Sequence, residues 1–259
     1  MPEGDTVWLA ARRLDAALTG HVLTRWDMRT PALATSDLTG QAVIGVASRG
    51  KHILIRVDGG LTLHTHFRME GSWHLYRPGR PWHGGPEWQV RAILATESWT
   101  AVGYRLPVLD LLPTAEEASV VGHLGPDLLA EEWDATEARR RLLAEPGRPA
   151  GEALLDQRVV AGLGLIYVSE ALFLSGVAPH APVSAIRDPD ALLGRSRRLL
   201  WANRERGAQA STGNLRAQHY VYGRAGRPCR RCGTTIRHGR QGTGIHERDA
   251  YWCPACQPS

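Results

Sequence analysis

Two cysteine pairs constrain this chain most: Cys229-x-x-Cys232 and, twenty residues on, Cys253-x-x-Cys256. The chain has no other cysteine. Four thiolates in two pairs, parted by a hairpin-sized loop, form the tetrahedral ligand set of a zinc ion. Four sulfurs leave no coordination position for water or substrate. The Zn2+ is therefore expected to be structural, holding a hairpin too small to fold on a core of its own. Two disulfides are the other reading of the same residues. The opening Met-Pro-Glu-Gly-Asp-Thr-Val has no basic region followed by an apolar run, so no export signal is expected. Thiols in a reducing compartment stay free for metal, which favours zinc and a cytoplasmic location.

Charge is concentrated in the same segment. Gly213 to Ser259 carries eight Arg against Glu247 and Asp249, a balance of +6, while the whole chain carries +5. The first 212 residues are thus near neutral. A compact basic module on a neutral body implies a polyanionic partner, and the bland alternative is a basic surface kept for solubility. Arg237, Arg240 and Arg248 lie between the cysteine pairs, where they would face a phosphate backbone. Of the 31 basic residues only Lys51 is a lysine. A lone ammonium among guanidiniums suggests a role for a compact group that can lose its proton. The longest near-apolar stretch, Val159–Val168, is about half of the roughly 20 residues a membrane span needs, so no membrane partner is expected.

At about 100–200 residues per domain, more than one domain is expected. Thr6–Leu18 has helical periodicity with its apolar residues near one face, and Gly20 stops it. Six segments then read as strands between Gly and Pro clusters: Val43–Ser48, His52–Val57, Leu61–His66, Gly71–Tyr76, Val90–Thr96 and Thr100–Tyr104. Beyond Pro113 the pattern turns helical over Glu116–His123, Ala135–Ala144, Gly151–Val159, Leu165–Ser175 and Ser184–Asn203. The expected class is α+β. A β-sandwich with one N-terminal helix occupies 1–112, a linker and helical domain 113–212, and a zinc finger 213–259.

Met1-Pro2-Glu3 holds a second chemical possibility. Loss of Met1 would leave Pro2 as a secondary amine, and α-amino groups titrate near ~8, so much of it is neutral at pH 7. Such a nitrogen attacks an acetal-like carbon and forms an iminium, with Glu3 beside it to move a proton. Alone, the same residues read as an ordinary helix start. The combination of Met-Pro-Glu-Gly, the lysine of Ser48-Arg-Gly-Lys51-His52, a helical middle and a C-terminal cysteine hairpin resembles the formamidopyrimidine-DNA glycosylase/endonuclease VIII family of base-excision repair. Further matching segments are His64-Thr-His66-Phe-Arg-Met69-Glu-Gly71, His123-Leu-Gly-Pro-Asp127, Glu152–Gln157, Ala161-Gly-Leu-Gly164, Val221-Tyr-Gly-Arg-Ala-Gly226 and Tyr251–Gln257.

The resemblance spans the chain. It implies a bifunctional glycosylase and abasic-site lyase acting on damaged DNA, with Pro2 as nucleophile, Glu3 as proton donor to the sugar and Lys51 as a catalytic phosphate contact. It implies further DNA contacts from His66, Arg68, Arg248 and a duplex wedge at Met69. Glu152 to about Pro179 would form the helix-two-turn-helix. Leu165 is expected at the DNA interface, where the family usually places an Asn that bonds a phosphate and leucine would leave that phosphate to water, so a DNA-binding paralogue with weak or altered activity is the alternative. Gly103–Pro107 lacks the intercalating arginine–phenylalanine pair of the oxidised-purine enzymes; Arg105 is a partial substitute for it, or, as the residues read at least equally well, a strand-end arginine. The short segment Arg204–His219 and the Met-Pro-Glu-Gly-Asp opening favour the endonuclease VIII side and oxidised pyrimidines. A monomer is expected. A zinc-ribbon protein unrelated to repair would leave the N-terminal match unexplained.

Overall fold

The structure is a computed structural model that describes residues 2–244 and 247–258. The chain divides into two compact units, Met1–His123 and Leu124–Ser259. The first unit opens with helix α1 (Gly4–Leu18), followed by strands β1 (Arg25–Met28), β2 (Val43–Arg49), β3 (His52–Val57), β4 (Leu61–His66), β5 (Ser72–Tyr76), β6 (Val90–Ala95), β7 (Thr100–Tyr104) and β8 (Val108–Pro113). They form two antiparallel four-stranded sheets, ordered β1-β6-β7-β5 and β2-β3-β4-β8. Strand alternation sends Trp26, Leu94 and Ala101 of one sheet, and Ile53, Ile55 and Leu63 of the other, into one core. Helix α1 adds Val7, Leu14 and Leu18 to that core. The expected sandwich with one helix is the observed one.

The two strands the sequence pattern misses, β1 and β8, are both sheet edges. An edge strand needs less alternation, and β8 can end on Pro113 because a proline there breaks no central ladder. The expected helix Glu116–His123 shrinks to a 3-10 turn at Thr114–Glu116 and the short helix α2 (Ala118–Val121).

The second unit contains α3 (Ala135–Leu143), α4 (Ala150–Leu155), α5 (Leu165–Ser175), α6 (Pro189–Asn203) and the antiparallel hairpin of β9 (Arg237–Gln241) and β10 (Arg248–Trp252). Helix α4 stops four residues before the sequence pattern suggests. Asp156 takes an extended backbone, and its carboxylate accepts the Arg158 N–H at 3.0 Å. The expected helix from Ser184 begins at Pro189 instead, because Asp188 caps it by accepting the Ala191 N–H at 2.9 Å. Helix α5 is buried at every residue from Leu165 to Phe173, the mark of a helix enclosed on all sides. The cysteine segment packs with it: Phe173 shares a cluster with Val221, Cys229, Ile236 and Cys253.

Candidate active site and nucleic-acid interface

Met1, whose removal the Pro2 chemistry requires, lies outside the described residues. Pro2 is half-buried, and Glu3, the residue that caps α1, is fully buried. The course of α1 shows what they approach. Its C-terminal end lies beside the start of β2, where the Gly20 N–H donates to the Val43 carbonyl at 2.8 Å. Asp15 accepts the Val46 N–H at 3.0 Å further along the strand. Fifteen helical residues span about 22 Å, and seven strand residues about 23 Å. From the Gly20 and Asp15 contacts, α1 runs back along β2 toward the end where the chain turns through Gly50-Lys51 into β3. Arg49 pairs with His52 across that turn, and Gly50 takes φ +59°, the positive value that a first central residue of a tight hairpin needs.

One sheet face beyond Lys51 carries a histidine group of which the sequence reading singled out only His66. His52, His64 and His66 project from it, because His52 pairs with His66 and His64 lies two residues before. The His52 Nδ1 and His64 Nε2 atoms are 2.8 Å apart, and His64 Nδ1 lies 3.2 Å from an Asp110 carboxylate oxygen. A carboxylate only accepts, so the network assigns a proton to His64 Nδ1 and then to His52 Nδ1. The Arg68 N–H donates to His66 Nδ1 at 2.9 Å, which leaves the His66 proton on Nε2. The rings of His66 and His123 stand edge-on to His52, at 4.7 and 6.3 Å between centroids. Burial, then the cluster's own charges and Arg68, push His52 down to about 3. Burial with Arg68, Lys51 and His64 takes His66 to about 4. At neutral pH both are uncharged, and His66 is a neutral N–H donor beside Lys51.

The turn after β4 exposes Met69, 64% accessible, between buried Phe67 and Gly71. Arg68 is also exposed. These features of the first unit place Lys51, His66, Arg68 and Met69 within one hairpin-and-turn region.

In the second unit Leu165 opens α5, and its side chain is buried at 7% accessibility. The residue that replaces the expected amide thus packs into the helical core, and does not present its side chain to solvent. The turns between α4 and α5 are cross-linked by Gln157, whose amide donates to the carbonyls of Leu155 (3.0 Å) and Leu163 (2.9 Å) and accepts the Gly162 N–H (3.0 Å). Gly162 sits at φ +102°, open to glycine at little strain. Glu170, fully buried on α5, accepts the Tyr220, Val221 and Tyr222 N–H groups at 2.8–2.9 Å and the Ser211 hydroxyl. It ties the chain entering the cysteine hairpin to α5. A Glu inside an apolar helix is the signal that could have marked it.

The four cysteine sulfurs lie within 4.8 Å of one another and form no disulfide. The separations are 3.5 Å for Cys232–Cys253 and Cys232–Cys256, and 4.0 Å for Cys229–Cys256. A metal–sulfur bond of 2.3 Å in a tetrahedron puts sulfurs about 3.8 Å apart, so the cluster fits one such ion. Arg248 starts β10 and is exposed, as are Arg237 and Arg240 on β9. Arg240 bonds Glu247 and Asp249.

A buried Glu3 at the head of a helix on a β-sandwich, two helices joined by cross-linked turns, and a basic four-cysteine hairpin are the features that the resemblance implies for a DNA base-removing enzyme. Comparison with known proteins agrees. The formamidopyrimidine-DNA glycosylase N-terminal domain matches residues 1–105, and the formamidopyrimidine-DNA glycosylase H2TH domain matches residues 124–201. The chain is 58% identical to a "Probable endonuclease 8 2" of Streptomyces coelicolor, over 99% of this chain and 94% of that one. It is 46% identical to a "DNA-(apurinic or apyrimidinic site) lyase Nei2" of Mycolicibacterium smegmatis, over 99% of each. The Lactococcus lactis Fpg (MutM), solved with DNA containing an oxidised pyrimidine, superposes over all of both chains with a TM-score of 0.83 at 25% identity. The chain belongs to the formamidopyrimidine-DNA glycosylase/endonuclease VIII family of DNA glycosylases with abasic-site lyase activity. Among the described residues no helix is long and apolar enough to cross a membrane.

Proposed function

We propose that this protein removes oxidised bases, pyrimidines foremost, from DNA through Pro2 and then cuts the strand. What supports the reading is the buried Glu3 at the head of α1, a helix that runs along β2 toward the end that leads into the Lys51 turn. In this mechanism the Pro2 nitrogen attacks C1′ of the damaged nucleotide, and the base leaves. Glu3 supplies the proton that opens the sugar ring at its oxygen. The resulting iminium draws electrons from C2′, so loss of the C2′ proton expels the 3′ phosphate. A second elimination can release the sugar, and water then frees Pro2. The damaged nucleotide must first leave the stack, at a cost of a few kcal/mol. Met69 fills the gap, while Lys51, His66, Arg68 and Arg248 hold phosphates.

The sulfur cluster fits zinc, held by Cys229, Cys232, Cys253 and Cys256. A bound ion would fix the hairpin that presents Arg248 and take no part in the chemistry, since the four thiolates complete its shell. We place the monomer in the cytoplasm, with damaged DNA as its partner, and divide the chain at 1–112, 113–212 and 213–259.

A panel of duplexes, each with one oxidised pyrimidine, one oxidised purine or one abasic site, tests the reading. Base release from the pyrimidines, strand cutting at the abasic site and one zinc per chain are expected. Tight binding with no base released from any of them would instead favour the binding-only paralogue.

A further inference from the structure

The turn that carries Met69 is held from outside by Arg105, on the neighbouring turn. Phe67 anchors one side in the sandwich core, and the Gly71 N–H donates to the Phe67 carbonyl at 2.8 Å. A side chain at Gly71 would meet the Phe67 backbone at 2.8 Å, so only glycine closes the turn this tightly. Arg68 sits at φ +50°, in the left-handed region that any residue with a Cβ disfavours. Arg105, on the neighbouring turn between β7 and β8, sits at φ +47°. Its Nε donates to the Glu70 carbonyl at 3.2 Å, and its Nη1 to the Gln89 side-chain oxygen at 2.5 Å. Its backbone N–H also donates to the Gln89 carbonyl at 2.8 Å. Two strained turns are thus joined by one guanidinium whose fork spans two acceptors.

We propose that Arg105 is a positioning residue, which locks the Met69 turn in its inserting form before DNA arrives. This rests on the reading of Met69 as the wedge. A loop of this size would otherwise have to be ordered at the moment of insertion, and a preformed turn avoids that loss. With its guanidinium committed to Glu70 and Gln89, Arg105 serves the wedge and does not grip the nucleic acid.

The test uses the full-length protein and two probes: a duplex with one central abasic site, and the same strand alone. Wedge insertion matters only where a stacked partner strand must be kept in place. Arg105→Ala is expected to slow cutting of the duplex about tenfold and leave the single strand cut at the wild-type rate. A 2-aminopurine opposite the abasic site should show slower unstacking in step with the lost activity. Arg105→Lys, which keeps the charge but cannot span both acceptors, should behave like Arg105→Ala. The Arg105→Ala/Met69→Ala double variant should be no slower than Met69→Ala. Multiplying losses in the double variant would overturn the proposal, since an arginine gripping DNA acts independently of the wedge. Full activity in Arg105→Lys would assign the effect to charge and also overturn it. Wild-type duplex cutting by Arg105→Ala, with Met69→Ala slow, would reject the positioning role alone. Wild-type cutting by Met69→Ala would reject the wedge, and the proposal with it.

Discussion

Glu3 is fully buried at the N-cap of α1, where the proposed mechanism needs a proton donor. Glu3→Gln keeps the shape and loses the transferable proton, so base release should fall at least about 100-fold while the melting temperature holds; single-turnover release on an oxidised-pyrimidine duplex measures it. Leu165 behaves oppositely. Its side chain lies inside α5's buried stretch, so Leu165→Asn should lower stability by about 1–3 kcal/mol and leave duplex affinity unimproved. Paired melting and binding curves in one salt check this, and tighter binding with an unchanged midpoint would show the side chain reaching a phosphate. The contrast marks what the sequence could show. Residue types and spacing announce the cysteine cluster, and the resemblance supplies the candidate roles of Glu3 and Lys51, but whether Leu165 points in or out depends on tertiary packing. The His52–His64–Asp110 chain was equally hidden, because it needs the register that sets β3, β4 and β8 side by side.

At the scale of elements, strands with a full apolar inner face were readable, since burial on one side imposes alternation. The edge strands β1 and β8 were not, and neither were the early end of α4 and the late start of α6. Those ends depend on single side chains, Asp156 and Asp188, that bond nearby backbone. The cysteine hairpin was readable from spacing alone. What spacing could not show is that Phe173 and Glu170 of α5 join it to the helices. Chelation of the proposed zinc, or Cys253→Ser, should therefore loosen β9–β10 and abolish DNA binding while the sandwich stays folded. Circular dichroism with a binding titration tests this, and unchanged affinity after verified metal loss would deny the hairpin a DNA-holding role.

Across the whole molecule, the histidine cluster ties stability to pH. His52 and His66 titrate near 3 and 4 in the folded chain, against 6.5 when free. Below pH 6.5 the unfolded chain therefore takes up protons that the folded chain refuses. Stability is full above 6.5 and declines as pH falls toward 4, before most carboxylates titrate. Urea midpoints between pH 7 and 4.5 should drop, and His52→Gln should flatten the decline; a flat wild-type series would contradict the buried, neutral cluster. The central claim is that Pro2 forms a covalent bond to the damaged strand. Borohydride added during turnover on abasic-site DNA should reduce the iminium and leave a protein–DNA adduct. Peptide mapping should place that adduct on a Pro2 freed of Met1. An adduct mapped to Lys51, or none while the strand is still cut, would contradict the account.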